Sequence, residues 1–429
     1  MSVLNFIINN ILTQTSVVIG LIALIGLCLQ KKGIGETISG TMKTMLGFMV
    51  LSAGSAVIVS ALTYFGNIFT PAFHMDGLVP SIEAINGQAM SELGYGSEIA
   101  ISLACIFLFN LLFARITKFK YVFLTGQVLL WISTITVVFG HYAGLNGPWV
   151  ILVGGVIGGL VCTLMPALAQ PYIRELTGSD DIALGHLCTI GYLVAGGAAS
   201  LTKKIFKESK SCEELTLPKS FEFLQDTYLS VMVIMIPLFI ITALFAGPEA
   251  CAPYSGTTNY IVYAFLQALQ FTVGVYVLLA GVRLLLAEIV PAFRGIAMRL
   301  VPDAIPALDC PVLFPYSPNA VILGFISTTI GSIIGMVLFP TIGLPMLLPG
   351  MLTNFFAGGT AGIIGNLKGG TKGCIVSGIV HGLFITLLPA ILAGMLTDIG
   401  FVNATCTDTD IILTGLLYGW FLKPIISLF

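Results

Sequence analysis

Long apolar runs separated by short polar stretches dominate the chain. A bilayer core of about 30 Å needs about 20 apolar residues per helix. Runs of that kind fall near 11–29, 44–66, 98–114, 121–140, 149–168, 228–247, 259–282, 319–340, 344–366, 374–397 and 411–429. These eleven runs predict an all-α polytopic membrane protein. Their lack of ten-residue alternation excludes an outer-membrane barrel. Two further stretches, 183–201 and 301–318, are apolar but interrupted by Gly or Pro, and neither makes a clean span.

The placement of basic residues predicts an orientation. Lys31, Lys32 and Lys43 follow the first run, Arg115, Lys118 and Lys120 the third, and Arg174 the fifth. Lys203, Lys204, Lys207, Lys210 and Lys219 precede the sixth run, Arg283, Arg294 and Arg299 follow the seventh, and Lys368 and Lys372 follow the ninth, with Lys423 near the end. With the N-terminus outside and eleven crossings, all of them and the C-terminus fall on the cytoplasmic side, as the positive-inside bias favours. The loops 67–97 and 398–410 contain no Lys or Arg.

The same orientation makes 183–201 and 301–318 enter and leave from the cytoplasm as re-entrant hairpins. Such backbone is tolerated at membrane depth only where it is buried in protein or lines a wet cavity. The alternative is a pair of interfacial segments lying flat. Residues 283–300 suit an amphipathic helix on the cytoplasmic face, kinked at Pro291. The polar loop 202–226 is either a docking surface for a soluble partner or a solvated connector. A weak internal echo pairs 36–43 with 288–299, each carrying Glu, Gly and a basic residue after a span.

Composition narrows the class. The 429 residues include 18 Lys or Arg and 20 Asp or Glu, 9% of the chain, against about a quarter in soluble proteins. Mean hydropathy is +1.01. A soluble enzyme, a disordered protein and a nucleic-acid binder are excluded, the last also by a net charge of −2. The nine cysteines form no C-x-x-C or zinc-type cluster and suit small buried hydrophobes. Met1–Asn10 has no basic n-region, so no removable signal peptide is expected.

Candidate chemistry lies in ionisable groups where lipid does not tolerate them. His186, in D-I-A-L-G-H-L-C-T, and Asp309, in P-A-L-D-C-P, each stand in a broken stretch. A carboxylate at depth costs at least a few kcal/mol without a partner or a wet site. An acceptor carboxylate and a donor/acceptor imidazole suit a polyhydroxylated ligand. The alternative is that both cap helix ends inside the fold. Gln127 and Trp131, four residues apart in the fourth run, share a helix face. That face could hold a sugar ring or pack against a helix. Glu83 lies in the long outer segment. His74, His141 and His381 are isolated, and no metal site is expected. No phosphate-binding loop, dinucleotide fingerprint or nucleophile elbow occurs, so neither ATP hydrolysis nor acyl transfer is expected.

Four stretches then carry a family resemblance: G-T-M-K-T-M-L-G-F-M-V-L-S-A-G-S (40–55), K-Y-V-F-L-T-G (120–126), G-V-R-L-L-L-A-E-I-V-P-A-F-R-G-I-A-M-R-L-V-P (281–302) and A-L-D-C-P-V-L-F-P-Y-S-P-N-A-V-I-L-G-F (307–325). The chain resembles the ascorbate-type membrane permease, the EIIC component, of the bacterial sugar phosphotransferase system. The resemblance implies a homodimer of eleven-helix subunits in the inner membrane, each with a core domain and a V-motif domain and two hairpins. It also implies an elevator movement that carries the substrate inward, no cofactor, and phosphorylation by a separate EIIB protein fed by EIIA. The permease itself transfers no phosphate. One permease domain is expected over 1–429, with no fused EIIA or EIIB domain.

By that resemblance the binding residues include His186, after Gly185, and Asp309 of the A-x-D-C motif. Three positions depart from the ascorbate pattern. Gln127 stands where the family has His, Trp131 where it has Gln, and Leu187 where ascorbate transporters commonly have Gln. The region of Ser81 and Glu83 aligns loosely. A polyol, pentose or related sugar acid is therefore expected alongside ascorbate. The competing reading is an ion-coupled secondary transporter without phosphoryl coupling, in which Asp309 or His186 acts in proton coupling.

Overall fold

The computed structural model describes residues 15–74, 77–206, 209–215 and 227–428. Residues 1–14, with the expected lack of a signal peptide and the start of the first run, lie outside them. So do Lys207 and Lys219, most of the polar loop, and the side chains on which an amphipathic face over 288–299 would depend.

The helices follow the apolar runs. They are α1 (Thr15–Leu29), α2 (Ile34–Phe73), the short α3 (Ile82–Gly87), α4 (Gly96–Ile116), α5 (Gly126–Tyr142), α6 (Pro148–Thr177) and α7 (Thr189–Phe206). After the polar loop come α8 (Thr227–Ser255), α9 (Tyr260–Leu300), α10 (Pro318–Leu338), α11 (Met351–Ile399) and α12 (Thr409–Leu417, continued by further helical turns to Ile426). Gly370, at φ 60° and ψ −157°, breaks α11 into two helices. That is why the ninth and tenth runs share one element. Eight helices among the described residues are long and apolar enough to cross a bilayer, so the chain is a polytopic helical membrane protein.

Among the described residues, six short strands join these helices into two parallel three-stranded sheets. They are β1 (Gly77–Pro80), β2 (Tyr121–Phe123), β3 (Ala183–Leu184), β4 (Ile305–Leu308), β5 (Met346–Leu347) and β6 (Ala404–Thr405). One sheet has the order β5-β1-β6, the other β2-β4-β3. Non-helical backbone in a membrane protein must find its hydrogen bonds inside the protein, and the sheets supply them. The outer side of the edge strand β2 is satisfied by Asn110, whose Oδ1 accepts from Phe123 N (2.9 Å) and whose Nδ2 donates to Tyr121 O (3.2 Å).

The sheet orders expose a repeat. The sequence α1–α2–β1–α3–α4–β2–α5–α6–β3–α7 is matched by α8–α9–β4–3₁₀ turns–α10–β5–first part of α11–second part of α11–β6–α12. Under that match β1 corresponds to β4, β2 to β5 and β3 to β6, and each sheet carries its β1-type strand in the centre. The corresponding helices α2 and α9 cross antiparallel. A Cβ on Gly47 would lie 2.3 Å from the Leu285 backbone N, and one on Gly54 2.3 Å from Leu278 N. From the other side, a Cβ on Gly281 would lie 2.3 Å from Leu51 N. The halves are therefore inverted copies, as in many transporters. The sequence echo of 36–43 with 288–299 is not this repeat: the first stretch opens α2 and the second closes α9, so the two are not equivalent positions.

Two packing units result. Helices α1, α2, α8 and α9 pack on one another, and α4–α7 pack with α10–α12. Glycines carry the close crossings in both. In the second unit, Gly324 of α10 meets the backbone of Gly358 and Gly362, and Gly382 of α11 meets Thr328 O. Helices in lipid gain little from hydrophobicity between themselves, so close backbone approach holds them together.

The last run, Thr409–Ile426, is one of the eight helices long and apolar enough to cross a bilayer, and it packs along the end of α11. Along α12, Gly415 lies against Leu392 and Gly419 against Met395, so α12 runs parallel to the end of α11. Its Lys423 Nζ sits 3.5 Å from the centre of the Tyr142 ring, and Tyr142 OH reaches Asp398 at 3.5 Å. The end of this run thus lies beside the ends of α5 and α11. By the repeat this segment is the partner of β3–α7, which likewise returns to the end of α6. There Lys203 and Lys204 share a depression with Glu175.

Candidate functional site

Every strand ends at the start of a helix or a 3₁₀ turn, and those junctions from both halves converge on one cavity of about 200 Å³. From the first half come Glu83 (β1 to α3), Gln127 and Trp131 (β2 to α5) and His186 (β3 to α7). From the second come Asp309 (β4 to its 3₁₀ turn), Leu352 and Phe356 (β5 to α11) and Asp408 (β6 to α12). Gln127 and Leu352 are both second residues of their helices, with Trp131 and Phe356 one turn later. The cavity therefore straddles the repeat axis. Tyr228 of α8, with Leu279 and Arg283 of α9, closes it from the other packing unit.

The polar groups are held in place from behind. Asp309 accepts from its own Cys310 N–H at Oδ1 (2.8 Å) and from the Gln127 amide at Oδ2 (2.8 Å). Glu83, 4% exposed, accepts from the Ser81 hydroxyl at 3.0 Å, while Ser81 caps α3 by accepting from Ala84 N. His186 Nδ1 lies 2.9 Å from the hydroxyl of the fully buried Tyr192, and its Nε2 faces Asp408 Oδ1 at 3.8 Å. A proton on Nε2 suits the carboxylate it faces, which leaves Nδ1 to accept from Tyr192. Gly185 lets the chain turn into the site. Its Cβ would strike Ala307 O at 2.5 Å, and its N–H donates to Leu308 O at 2.6 Å.

The tips of β3–α7 and β6–α12 clasp each other. Asp410 accepts from the first amides of α7, Thr189 N (2.7 Å) and Ile190 N (2.9 Å), and Thr409 Oγ1 accepts from Gly191 N. In return Asp410 N donates to Leu187 O at 3.1 Å. A carboxylate at a helix start satisfies orphan N–H groups and favours the macrodipole. Asp410→Ala is expected to lose about 1.5–3 kcal/mol, the scale for hydrogen bonds to a charged group. Thermal unfolding of the detergent-solubilised protein reads that loss, and an unchanged midpoint would discount the clasp.

Five of the six positions singled out in the sequence, His186, Asp309, Gln127, Trp131 and Glu83, line the cavity. Leu187 does not: it is fully buried and enters the site only through its carbonyl. Sequence reasoning misses Asp408, which is 2% exposed, and Arg283. Asp408 has a signal of its own in T-C-T-D-T-D-I, acids opening an apolar run, but its stretch reads as an outer loop. Arg283 reads as part of the amphipathic segment that follows it. His186, Asp309 and Cys310 place ligand-type atoms within 4.8 Å of one another. The Cys310 Sγ, however, is engaged by the Tyr192 hydroxyl at 3.4 Å, and Asp309 is held by Gln127.

Inverted halves, membrane-length helices and a central polar cavity together define a polytopic membrane transport protein. Residues 10–410 match the family described as EIIC-GAT, the PTS system sugar-specific permease component, and the chain belongs to that family. It is similar to the ascorbate-specific PTS system EIIC component of Mycoplasma pneumoniae (strain ATCC 29342 / M129 / Subtype 1). The two are 25% identical over 380 residues, covering 77% of this chain and 56% of that protein. The chain thus spans little more than half the length of that curated relative.

Proposed function

We propose that the chain is a phosphotransferase-system permease that binds an uncharged polyol or sugar and carries it inward for phosphorylation by a separate EIIB protein. The convergence of the strand-to-helix junctions of two inverted halves on one cavity carries this reading. Half-helix ends at mid-membrane are where transporters place their substrate.

The charge of the cavity supports an uncharged substrate. Among the described residues three carboxyl groups, Glu83, Asp309 and Asp408, face it, with one guanidinium, Arg283. An anion set close to the Asp309 carboxylate, which accepts from two N–H groups, meets repulsion of about 4 kcal/mol at an effective dielectric of 20. Hydroxyl groups instead find acceptors in the carboxylates, a donor in His186 and an apolar ring face in Trp131. The relative's name makes ascorbate the competing substrate. Labelled uptake of neutral pentitols, hexitols and pentoses is expected to resist excess ascorbate, and Gln127→His with Trp131→Gln to shift preference towards ascorbate. Strong competition by ascorbate in the parent protein would reverse the substrate assignment.

The sidedness is part of the proposal. The ends of α4, α6 and α7 and the break in α11 carry Arg115, Arg174, Lys203, Lys204, Lys368 and Lys372, with Arg115 donating to Leu300 O and Lys368 paired with Glu175. The positive-inside bias assigns these positions to the cytoplasmic side of a bacterial inner membrane and the N-terminus to the outside. Lys423 then lies outside with Tyr142 and Asp398. This gives ten crossings with β3–α7 and β6–α12 as hairpins from opposite faces, in place of eleven crossings with a cytoplasmic C-terminus. The two packing units, with the cavity between them, suit an elevator in which the α4–α7 and α10–α12 unit moves against the unit of α2 and α9. They correspond to the core and V-motif parts, and the homodimer follows from the family resemblance.

Accumulation in cells is expected to stop when the cognate EIIB protein is removed. Uptake that persists without EIIB but collapses with an uncoupler would establish the ion-coupled reading instead.

A further inference from the structure

A second pocket lies away from the transport cavity and shares none of its lining residues. It occupies about 230 Å³ where the end of α7, the segment 209–211 and the break in α11 meet. Lys203, Lys368 and Lys372 line it, and no acidic residue does so among the described residues. We propose that this pocket binds a phosphomonoester dianion, of the class represented by sugar phosphates.

Its walls are built independently of any ligand. The positive φ of Gly370 swings the chain so that a Cβ there would strike Ser209 O at 2.4 Å and Lys210 O at 2.7 Å. Thr371 N donates to Lys210 O (2.8 Å) and Lys372 N to Ser209 Oγ (3.0 Å). Asn366 accepts from Cys212 N at 2.8 Å. Two opening amides of the second α11 helix are thus already taken, and the ammonium groups of Lys203 and Lys372 form no ion pair among the described residues.

Two of the lysines are held by their surroundings. Lys372 Nζ lies 5.3 Å from the centre of the Phe206 ring, and Lys368 Nζ lies 5.3 Å from that of Tyr172. Lys368 also pairs with Glu175, whereas Lys203 and Lys372 form no ion pair among the described residues. Like charges drawn into one concavity repel, and a bound anion relieves them. The two ammonium groups without an ion pair among the described residues, Lys203 and Lys372, match two negative charges better than one. That favours a phosphomonoester over the single charge of a lipid phosphodiester. The polar Thr202, Ser209 and Ser211 around the lysines suit the hydroxyl-bearing remainder.

The binding goes beyond the transport proposal and does not depend on it, because it is measured without uptake. The full chain in zwitterionic nanodiscs is titrated calorimetrically with inorganic phosphate and with a hexose 6-phosphate at constant ionic strength. Saturable binding of the hexose 6-phosphate is expected, but none of the unphosphorylated hexose at this site. Affinity is expected to fall about tenfold for each of Lys203→Gln and Lys372→Gln, with both variants unfolding at the parent temperature. Absence of binding, or binding indifferent to both substitutions, overturns the proposal. So does a lysine-dependent stabilisation seen only with phosphatidylglycerol nanodiscs, which would assign the lysines to a lipid headgroup. Uptake that proves independent of EIIB would sink the transport reading and leave this result standing.

Discussion

Asp309→Asn is expected to lower substrate affinity about 10- to 100-fold, the range that follows from losing a hydrogen bond to a charged acceptor. Asp309 sits where β4 gives way to a 3₁₀ turn, with Oδ1 on its own Cys310 amide and Oδ2 on Gln127. Asparagine keeps the size of the side chain but has one acceptor oxygen in place of two. It either gives up the turn amide or turns its NH₂ towards the amide of Gln127, and the substrate hydroxyls lose a charged acceptor in both arrangements. Labelled-substrate binding to the purified protein reads the loss, and size-exclusion chromatography confirms that the fold is kept. His186→Ala removes the facing donor and is expected to act in the same direction. Normal transport by both variants would place the site elsewhere.

Gly54→Leu is expected to have the largest effect on folding. At this position α2 lies against α9 so closely that even a Cβ would fall 2.3 Å from the Leu278 backbone N and 2.9 Å from Gly274 O. The obstruction is backbone, so no side-chain rotamer relieves it, and the helices must separate along the crossing that also holds Gly47 and Gly281. Overpacking costs about 1–3 kcal/mol where a core can adjust, and here it cannot. Gly394→Ala, at an α11 position with nothing within 4 Å, is the matched control. It is expected to be neutral or to stabilise by about 0.5–1 kcal/mol, since Gly costs that much in a helix. Expression of folded, monodisperse protein distinguishes the two. Equal yields would mean that the crossing is looser than the glycine spacing indicates.

The apolar runs and the scarcity of charge are enough to establish a helical membrane protein, because bilayer thickness translates directly into run length. Ionisable residues in broken apolar stretches, His186 and Asp309, are legible for the same reason: lipid makes such residues costly unless a site holds them. Glu83 is visible only as an outer-loop acid, and its place at the cavity follows from the Ser81 cap that starts α3. Gln127 and Trp131 can be placed on one helix face, but whether that face meets substrate or another helix depends on what lies opposite.

Long-range pairing is what sequence patterning cannot supply. Strands of two to four residues leave almost no periodic signal, yet their parallel pairing across hundreds of residues brings β4 between β2 and β3, and Asp309 beside Gln127. The inverted repeat is hidden because equivalent positions hold different residues, Gln127 matching Leu352 and His186 lying near the counterpart of Asp408. The last helix reads as a crossing because length and apolarity do not show direction. Its packing along α11 and the meeting of Lys423 with Tyr142 are what support the hairpin proposed above. The sequence by itself determined which segments prefer lipid and which side chains need a reason to be there. The tertiary structure decided which of those side chains meet, because the meeting depends on glycine-mediated backbone contacts and strand hydrogen bonds between residues far apart in the chain.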